Sequence, residues 1–220
     1  QIRGMTVATR NANDGISLTQ TAESAMGELT NTLQRMRDLS VQSANDGAVT
    51  DDDRLKMEDE FQQLNEELTR ISTSTEFNGK KIINGSLEDG GSFQVGANNK
   101  ADNKIIVSIA DMESAITEVS GGGISNQAGA SAAISNIDVA IGLIDSERSK
   151  LGAVQSRFTT TISNLQSSIE NQSAARSRIM DTDFAAETAA LSRNQVLQQA
   201  GTAMLSQANQ APQSVMSLLR

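Results

Sequence analysis

Histidine, cysteine, tryptophan and tyrosine are absent from this 220-residue chain, and proline occurs once. Without His and Cys there is no imidazole for acid–base catalysis, no thiolate nucleophile, and no donor set for most transition metals. No catalytic, cofactor or metal site is therefore expected. No disulfide can form, so cysteine usage leaves the compartment open. Five Phe are the only aromatics. A compact globule of this length normally buries several large rings. Here Leu, Ile, Val, Met and Ala must fill the interior, which suits thin helical rods better than a thick core. The sequence shows neither a signal peptide nor an apolar run of membrane length. Basic patches interleaved with aromatics are lacking too, so nucleic acid is not an expected partner. The net charge of -9 reads as solubility rather than as the footprint of a basic partner. The chain opens at Gln1 without an initiator Met and reads as a fragment or a processed product.

What is present is helical periodicity. Between Asn136 and Gln172, apolar residues fall at Ile137, Ile141, Ile144, Leu151, Val154, Phe158, Ile162, Leu165 and Ile169. Most steps are of three or four, the stripe of one helix face. About 37 residues of helix span roughly 55 Å at 1.5 Å per residue. So long a helix with so narrow a stripe needs partner helices. The N-terminal third supplies them. Ala22, Met26, Leu29, Leu33 and Met36 form one seam, and Met57, Phe61, Leu64, Leu68 and Ile71 form another. Asn45-Asp46-Gly47 stops the first helix. Thr50 caps the second, with Asp51, Asp52 and Asp53 at its positive end. These three carboxylates read as a helix start, since a calcium loop needs wider ligand spacing and a glycine turn.

From Phe77 the pattern changes to Asn78-Gly79 and Asn84-Gly85 turns. Short strands are expected over 80–83, 92–95 and 104–109. Gly121-Gly122-Gly123 lacks the Lys-Ser/Thr of a phosphate loop, so 119–129 reads as a flexible linker. Asp183 reads as a helix cap rather than half of an acid–base pair. The Ala- and Gln-rich segment that follows is an amphipathic helix which Pro212 ends or kinks. Its large apolar residues are too few for it to fold alone. Its polar face carries Gln, Ser and Asn rather than Lys and Arg, so a partner helix is expected and membrane insertion is not.

The fold expected is mainly α: an elongated helical rod of long antiparallel coiled-coil-like helices with a small β-hairpin region. Residues 1–180 form the rod, with helices at about 1–45, 50–72 and 130–175, a β region at about 77–110, and the linker at about 119–129. Residues 181–220 form a separate amphipathic segment.

Several strings are specific. Arg10-Asn-Ala-Asn-Asp-Gly-Ile-Ser17, Gln34-Arg-Met-Arg-Asp-Leu-Ser-Val-Gln-Ser-Ala-Asn45 and Thr75-Glu-Phe-Asn-Gly-Lys80 resemble the N-terminal signature of bacterial flagellins. Asp181-Thr-Asp-Phe-Ala-Ala-Glu187, Asn194-Gln-Val-Leu-Gln-Gln-Ala-Gly201, Gln207-Ala-Asn-Gln210 and Ser217-Leu-Leu-Arg220 resemble the C-terminal one. Only 84–128 is weakly matched, and the short Gly/Ser connection there resembles a minimal flagellin without a variable outer domain.

The resemblance implies a non-enzymatic, self-assembling filament subunit. It would be exported by the flagellar type III apparatus and end in the extracellular flagellum, after a cytoplasmic stage with a secretion chaperone. Its other partners would be neighbouring subunits and the hook-associated and cap proteins. It also implies an inner domain made by pairing an extreme N-terminal helix with the C-terminal one. Of that domain, only 183–220 is expected here. By resemblance, the chaperone and inner-domain contacts fall on Ala189, Leu191, Val196, Leu197, Met204, Leu205, Val215, Leu218 and Leu219. Recognition by a Toll-like immune receptor would use Gln34, Arg35, Leu39 and Glu60. The alternatives are a hook–filament junction protein, which shares the paired terminal helices, and a signalling coiled coil.

Overall fold

The computed structural model describes the backbone of residues 1–181 and 184–218, and the side chains of 1–181 and 184–208. The chain divides into two units, Gln1–Glu170 and Asn171–Arg220.

In the first unit, helix α1 runs from Ile2 to Ser43 and helix α2 from Asp51 to Ser74. Helix α4 starts at Gln127 and continues to Met180, ending in the second unit. The seam of α1 is continuous. Met5, Ala8, Ala12, Gly15, Leu18, Ala22, Met26, Leu29, Leu33, Met36 and Leu39 are all buried. On α4 the buried positions are Ala130, Ala133, Ile137, Ala140, Ile144, Glu147, Leu151 and Phe158, again in steps of three and four until Phe158. Position 147 fills the seven-residue step between Ile144 and Leu151 with a carboxylate. It is tolerated there because Lys150 donates to it and the Ala110 N–H lies 3.5 Å away. Gln155 donates to Glu23 at 2.8 Å and Arg37 to Asp138 at 2.7 Å, so α1 and α4 run antiparallel.

The first turn of α1 and Gly15 look weak on propensity, yet both close contacts there require small residues. A Cβ at Gly15 would lie 2.5 Å from the Phe158 Cζ, and one at Gly4 3.1 Å from the Ala97 Cβ. Phe158 in turn meets Phe93 edge to face, with ring centroids 5.6 Å apart and planes at 85°.

Thr50 caps α2 as the sequence predicts. Its hydroxyl accepts from the Asp53 N–H at 3.3 Å and donates to the Asp53 carboxylate at 2.7 Å, so the cap and the third helical residue hold each other. The turn between α1 and α2 is tied by Arg54, which is buried. It donates to the Ser43 carbonyl at 3.1 Å, to Asp51 at 2.9 Å and to Asp46 at 3.0 Å.

Strands β1 (Glu76–Phe77) and β2 (Lys80–Lys81) form a hairpin. Asn78 and Gly79 have φ of 50° and 75°, the two positive values that a two-residue type I′ turn requires. Strands β3 (Gly91–Gln94) and β4 (Lys104–Val107) pair antiparallel, with Phe93 opposite Ile105. Asn11 of α1 donates to the Gln94 carbonyl at 2.9 Å, fixing this second hairpin on α1.

Two features differ from the sequence reading. Residues 112–120 form a short helix, α3 (Met112–Ser120), capped by Asp111, whose carboxylate accepts from the Glu113 N–H at 2.9 Å. Met112, Ala115, Ile116 and Val119 make its buried face, a stripe too short to stand out beside the glycines. The linker is also anchored rather than flexible. Ile124 is buried, its N–H donates to Glu58, and its carbonyl accepts from Ser43. Three glycines signal freedom, but one apolar residue and two hydrogen bonds remove it.

The second unit contains the end of α4 and helix α5 (Phe184–Leu218). The helical backbone runs on through Pro212, so that residue does not end it. Proline there removes one backbone donor, and the helix tolerates the loss. The expected cap at Asp183 lies outside the described residues.

Candidate assembly and recognition surfaces

Among the described residues no cluster of Asp and Glu is arranged to hold a metal ion. At the Asp-rich start of α2, Asp53 is engaged by Thr50 and Lys56, which hold its carboxyl below the usual range. An open groove between α1 and α2 is lined by Glu28, Glu67 and Arg70 among Ser, Thr and Gln side chains. Arg70 donates twice to Glu67, with one bond of 2.7 Å, and keeps that carboxyl below its ordinary value. A general acid needs the opposite shift.

The largest display of apolar side chains belongs to α5. Phe184 is 84 % exposed, and Leu191, Val196, Leu197, Met204 and Leu205 lie between 57 % and 67 %. Ala189 is exposed as well, and from Phe184 to Ala208 only Ala190 is even half-buried. At 100° per residue, Leu191, Val196, Leu197, Met204 and Leu205 spread over about 220° of the helix circumference, a wide apolar surface rather than a narrow stripe. Monomeric proteins seldom show a contiguous apolar surface of this kind unless it binds something. Six of the nine residues expected to contact a chaperone or an inner domain are on this surface. The side chains of Val215, Leu218 and Leu219 lie outside the described residues.

The residues expected at a receptor surface divide. Arg35 on α1 and Glu60 on α2 form an exposed ion pair, with the guanidinium Nε and Nη2 at 2.9 and 2.7 Å from one carboxylate oxygen. Gln34 is exposed beside them. Leu39, four residues after Arg35, is 3 % exposed and belongs to the core. At this point the seam has turned under Arg35, so the two do not share an outward face. Arg37 and Asp138, which sequence reasoning passed over, form a second exposed ion pair that ties α1 to α4. The guanidinium lowers the Asp138 carboxyl below its ordinary value.

By length and composition, one helical stretch within Gln127–Ala208 is apolar enough to cross a membrane. The sequence reading found no such run. The difference arises because Ala, Ile and Leu raise the average along α4. On α4 only a stripe that includes Ala130, Ala133, Ile137, Ala140 and Ile144 is buried, and most residues of the apolar stretch are not.

Two family models match the chain. "Bacterial flagellin N-terminal helical region" matches residues 1–88, and "Bacterial flagellin C-terminal helical region" matches residues 134–219. A flagellin of Halalkalibacterium halodurans is 44% identical over 220 residues, covering 100% of this chain and 80% of that protein. A flagellin of Bacillus subtilis is 41% identical over 254 residues, covering 100% and 82%. With flagellin D of Vibrio anguillarum the alignment extends over 322 residues at 35% identity, so that relative carries residues this shorter chain lacks. Among solved structures, Bacillus cereus flagellin superposes with a TM-score of 0.62 at 29% identity, covering 76% of this chain and 94% of that one. A putative flagellar hook-associated protein of Vibrio parahaemolyticus has a TM-score of 0.65 at 14% identity, a likeness of fold alone.

Proposed function

The chain belongs to the bacterial flagellin family, structural subunits of the extracellular flagellar filament and not enzymes, and on that premise we propose that helix α5 serves two partners in succession. Before export through the flagellar type III apparatus, a secretion chaperone covers the apolar face that Ala189, Leu191, Val196, Leu197, Met204 and Leu205 present. In the filament, the same face packs against inner-domain helices of neighbouring subunits, and the subunits at the ends meet the hook-associated and cap proteins. The observation that supports this reading is the continuous exposure of apolar side chains from Phe184 to Leu205. An amphipathic helix laid into an apolar groove is a common recognition mode. Val215, Leu218 and Leu219 extend the proposed face by sequence.

Calorimetric titration with a flagellar secretion chaperone tests it. Tight binding by the intact chain, lost on removal of residues 183–220, is the expected result. An affinity unchanged by that truncation contradicts the chaperone role of α5.

A second contact is supported by the exposed Arg35–Glu60 pair with Gln34 beside it. We propose this as a surface for a Toll-like receptor. Leu39 contributes from beneath by holding α1 in place. Arg35→Ala should weaken receptor activation in reporter cells while leaving the helical content unchanged. Undiminished activation would remove Arg35 from the contact.

A further inference from the structure

Two Asn-Gly pairs occur in the turns after α2, and the structure treats their side chains differently. Asn78 stands at the tip of the β1–β2 hairpin, exposed, with no hydrogen bond to its carboxamide among the described residues. Asn84 is half-buried, and its Oδ1 accepts two hydrogen bonds from one residue. The Ser86 hydroxyl donates to it at 2.7 Å, and the Ser86 N–H lies at 3.4 Å. Between them stands Gly85, with φ of 80°.

We propose that Asn84-Gly85-Ser86 is a site of spontaneous covalent modification, in which the fold itself promotes deamidation of Asn84. The nucleophile is the Gly85 backbone nitrogen, deprotonated by solvent hydroxide. Gly85 has no Cβ to hinder its approach to the Asn84 Cγ. As the N–Cγ bond forms, the carbonyl electron pair moves onto Oδ1. The oxyanion therefore develops where the Ser86 hydroxyl and N–H already point. Donors fixed in advance around a developing oxyanion are the arrangement that stabilises acyl-transfer intermediates. They also shorten as the charge grows, because charge-assisted hydrogen bonds are stronger than neutral ones. Collapse of the intermediate breaks the bond from Cγ to the side-chain nitrogen. That nitrogen takes a proton from water and leaves as ammonia. The product is a five-membered imide joining Cγ to the Gly85 nitrogen. A water molecule then opens the imide at either carbonyl, giving aspartate or isoaspartate at position 84. No oxidant or reductant takes part.

Asn78-Gly79 is the control within the same chain. It has the same nucleophile and the same leaving group, but nothing is aimed at its Oδ1. The consequence at position 84 is also structural. A Cβ on Gly85 would come within 3.2 Å of the Asp111 Cβ. Asp111 caps α3, and the Met112 N–H donates to the Ile83 carbonyl at 3.0 Å. Isoaspartate lengthens the backbone by one carbon at a place with little room, so it should loosen the start of α3. The aspartate product keeps the backbone and adds one negative charge beside that cap.

The test is peptide mapping by mass spectrometry of the purified chain, aged at neutral to mildly basic pH in native buffer and in denaturant. In native buffer Asn84 should convert about tenfold faster than Asn78, the effect of about one hydrogen bond on a barrier. In denaturant the two rates should converge. Ser86→Ala, which keeps only the backbone donor at 3.4 Å, should remove most of the native excess of Asn84 over Asn78 and leave Asn78 itself unchanged. Ser86→Thr, which keeps the hydroxyl, should restore it. Ser86 is exposed, and circular dichroism confirms that each variant stays folded. Equal or slower native conversion at Asn84 than at Asn78 overturns the proposal. So does a Ser86→Ala variant that leaves the ratio as it was.

Discussion

Gly15→Ala is the substitution whose effect depends most on a single contact. On helix propensity alone it should stabilise, because Ala in a helix interior is favoured over Gly by about 1 kcal/mol. The packing says otherwise. The new Cβ would lie 2.5 Å from the Phe158 Cζ and 2.9 Å from both Cε atoms. Contacts under 3.0 Å force a shift, and the ring has little room to retreat. Phe158 is fully buried, with the Phe93 ring set edge to face against it. Overpacking of this kind costs about 1–3 kcal/mol. Set against the propensity gain, the variant should lose up to about 2 kcal/mol. In a Phe158→Leu background the clash disappears and the propensity remains. There Gly15→Ala should gain about 0.5–1 kcal/mol, a reversal of sign. Phe158→Leu by itself should destabilise, since it leaves a void beside Phe93. Equilibrium urea unfolding of the four chains, followed by far-UV circular dichroism, measures the coupling. A loss of equal size in both backgrounds would refute the reasoning, as would a gain in the parent chain.

Arg54→Met removes donors to the Ser43 carbonyl, Asp51 and Asp46 and leaves that carbonyl unpaired in a buried turn. It should cost about 2–3 kcal/mol in the same unfolding assay and speed amide exchange around 43–54. Gly79→Ala places a side chain at φ 75° in the hairpin turn and should cost about 1 kcal/mol, with the long helices unaffected by circular dichroism. Asp138→Asn tests the pH dependence of the α1–α4 ion pair. Arg37 depresses the folded carboxyl below its unfolded value. The contribution is therefore present above the unfolded pKa and lost as pH falls through the lower folded one. The parent should melt higher than the variant near neutrality, and the two should converge in strong acid.

Much of the helical part was legible from spacing alone. The stripe from Ile137 to Phe158 and the seams through Met26 and Phe61 carry large apolar residues at regular steps; most are buried, and Ile141, Val154, Leu64 and Ile71 are half-buried against the same core. Ala130, Ala133 and Ala140 extend the α4 seam but are too small to stand out. Gly15 reads as a weakness until Phe158 is brought against it across more than a hundred residues of chain. The same long-range pairing explains why the Ile124 linker was misjudged. Its anchors, Ser43 and Glu58, lie far away in sequence and give no local signal. Arg35 and Leu39 illustrate the limit of the i, i+4 rule. The spacing puts them near one another, but the α1 seam runs beneath Arg35 and takes Leu39 into the core. The large apolar residues of α5 were readable in the sequence, and those described are exposed. Which molecule covers them is a question of chemistry outside the chain.

Seeded assembly tests the central claim most directly. A single Leu197→Cys label is unambiguous in a chain without cysteine. The labelled chain, as it stands and extended by an N-terminal flagellin helix, is mixed with sheared flagellar filaments. Maleimide reactivity is then followed in the pelleted and soluble fractions. The account predicts that the extended chain pellets with the seeds and that its Cys label becomes protected on assembly, while the soluble chain reacts freely. An extended chain that stays soluble with seeds present, or one that pellets with position 197 still reactive, would contradict it.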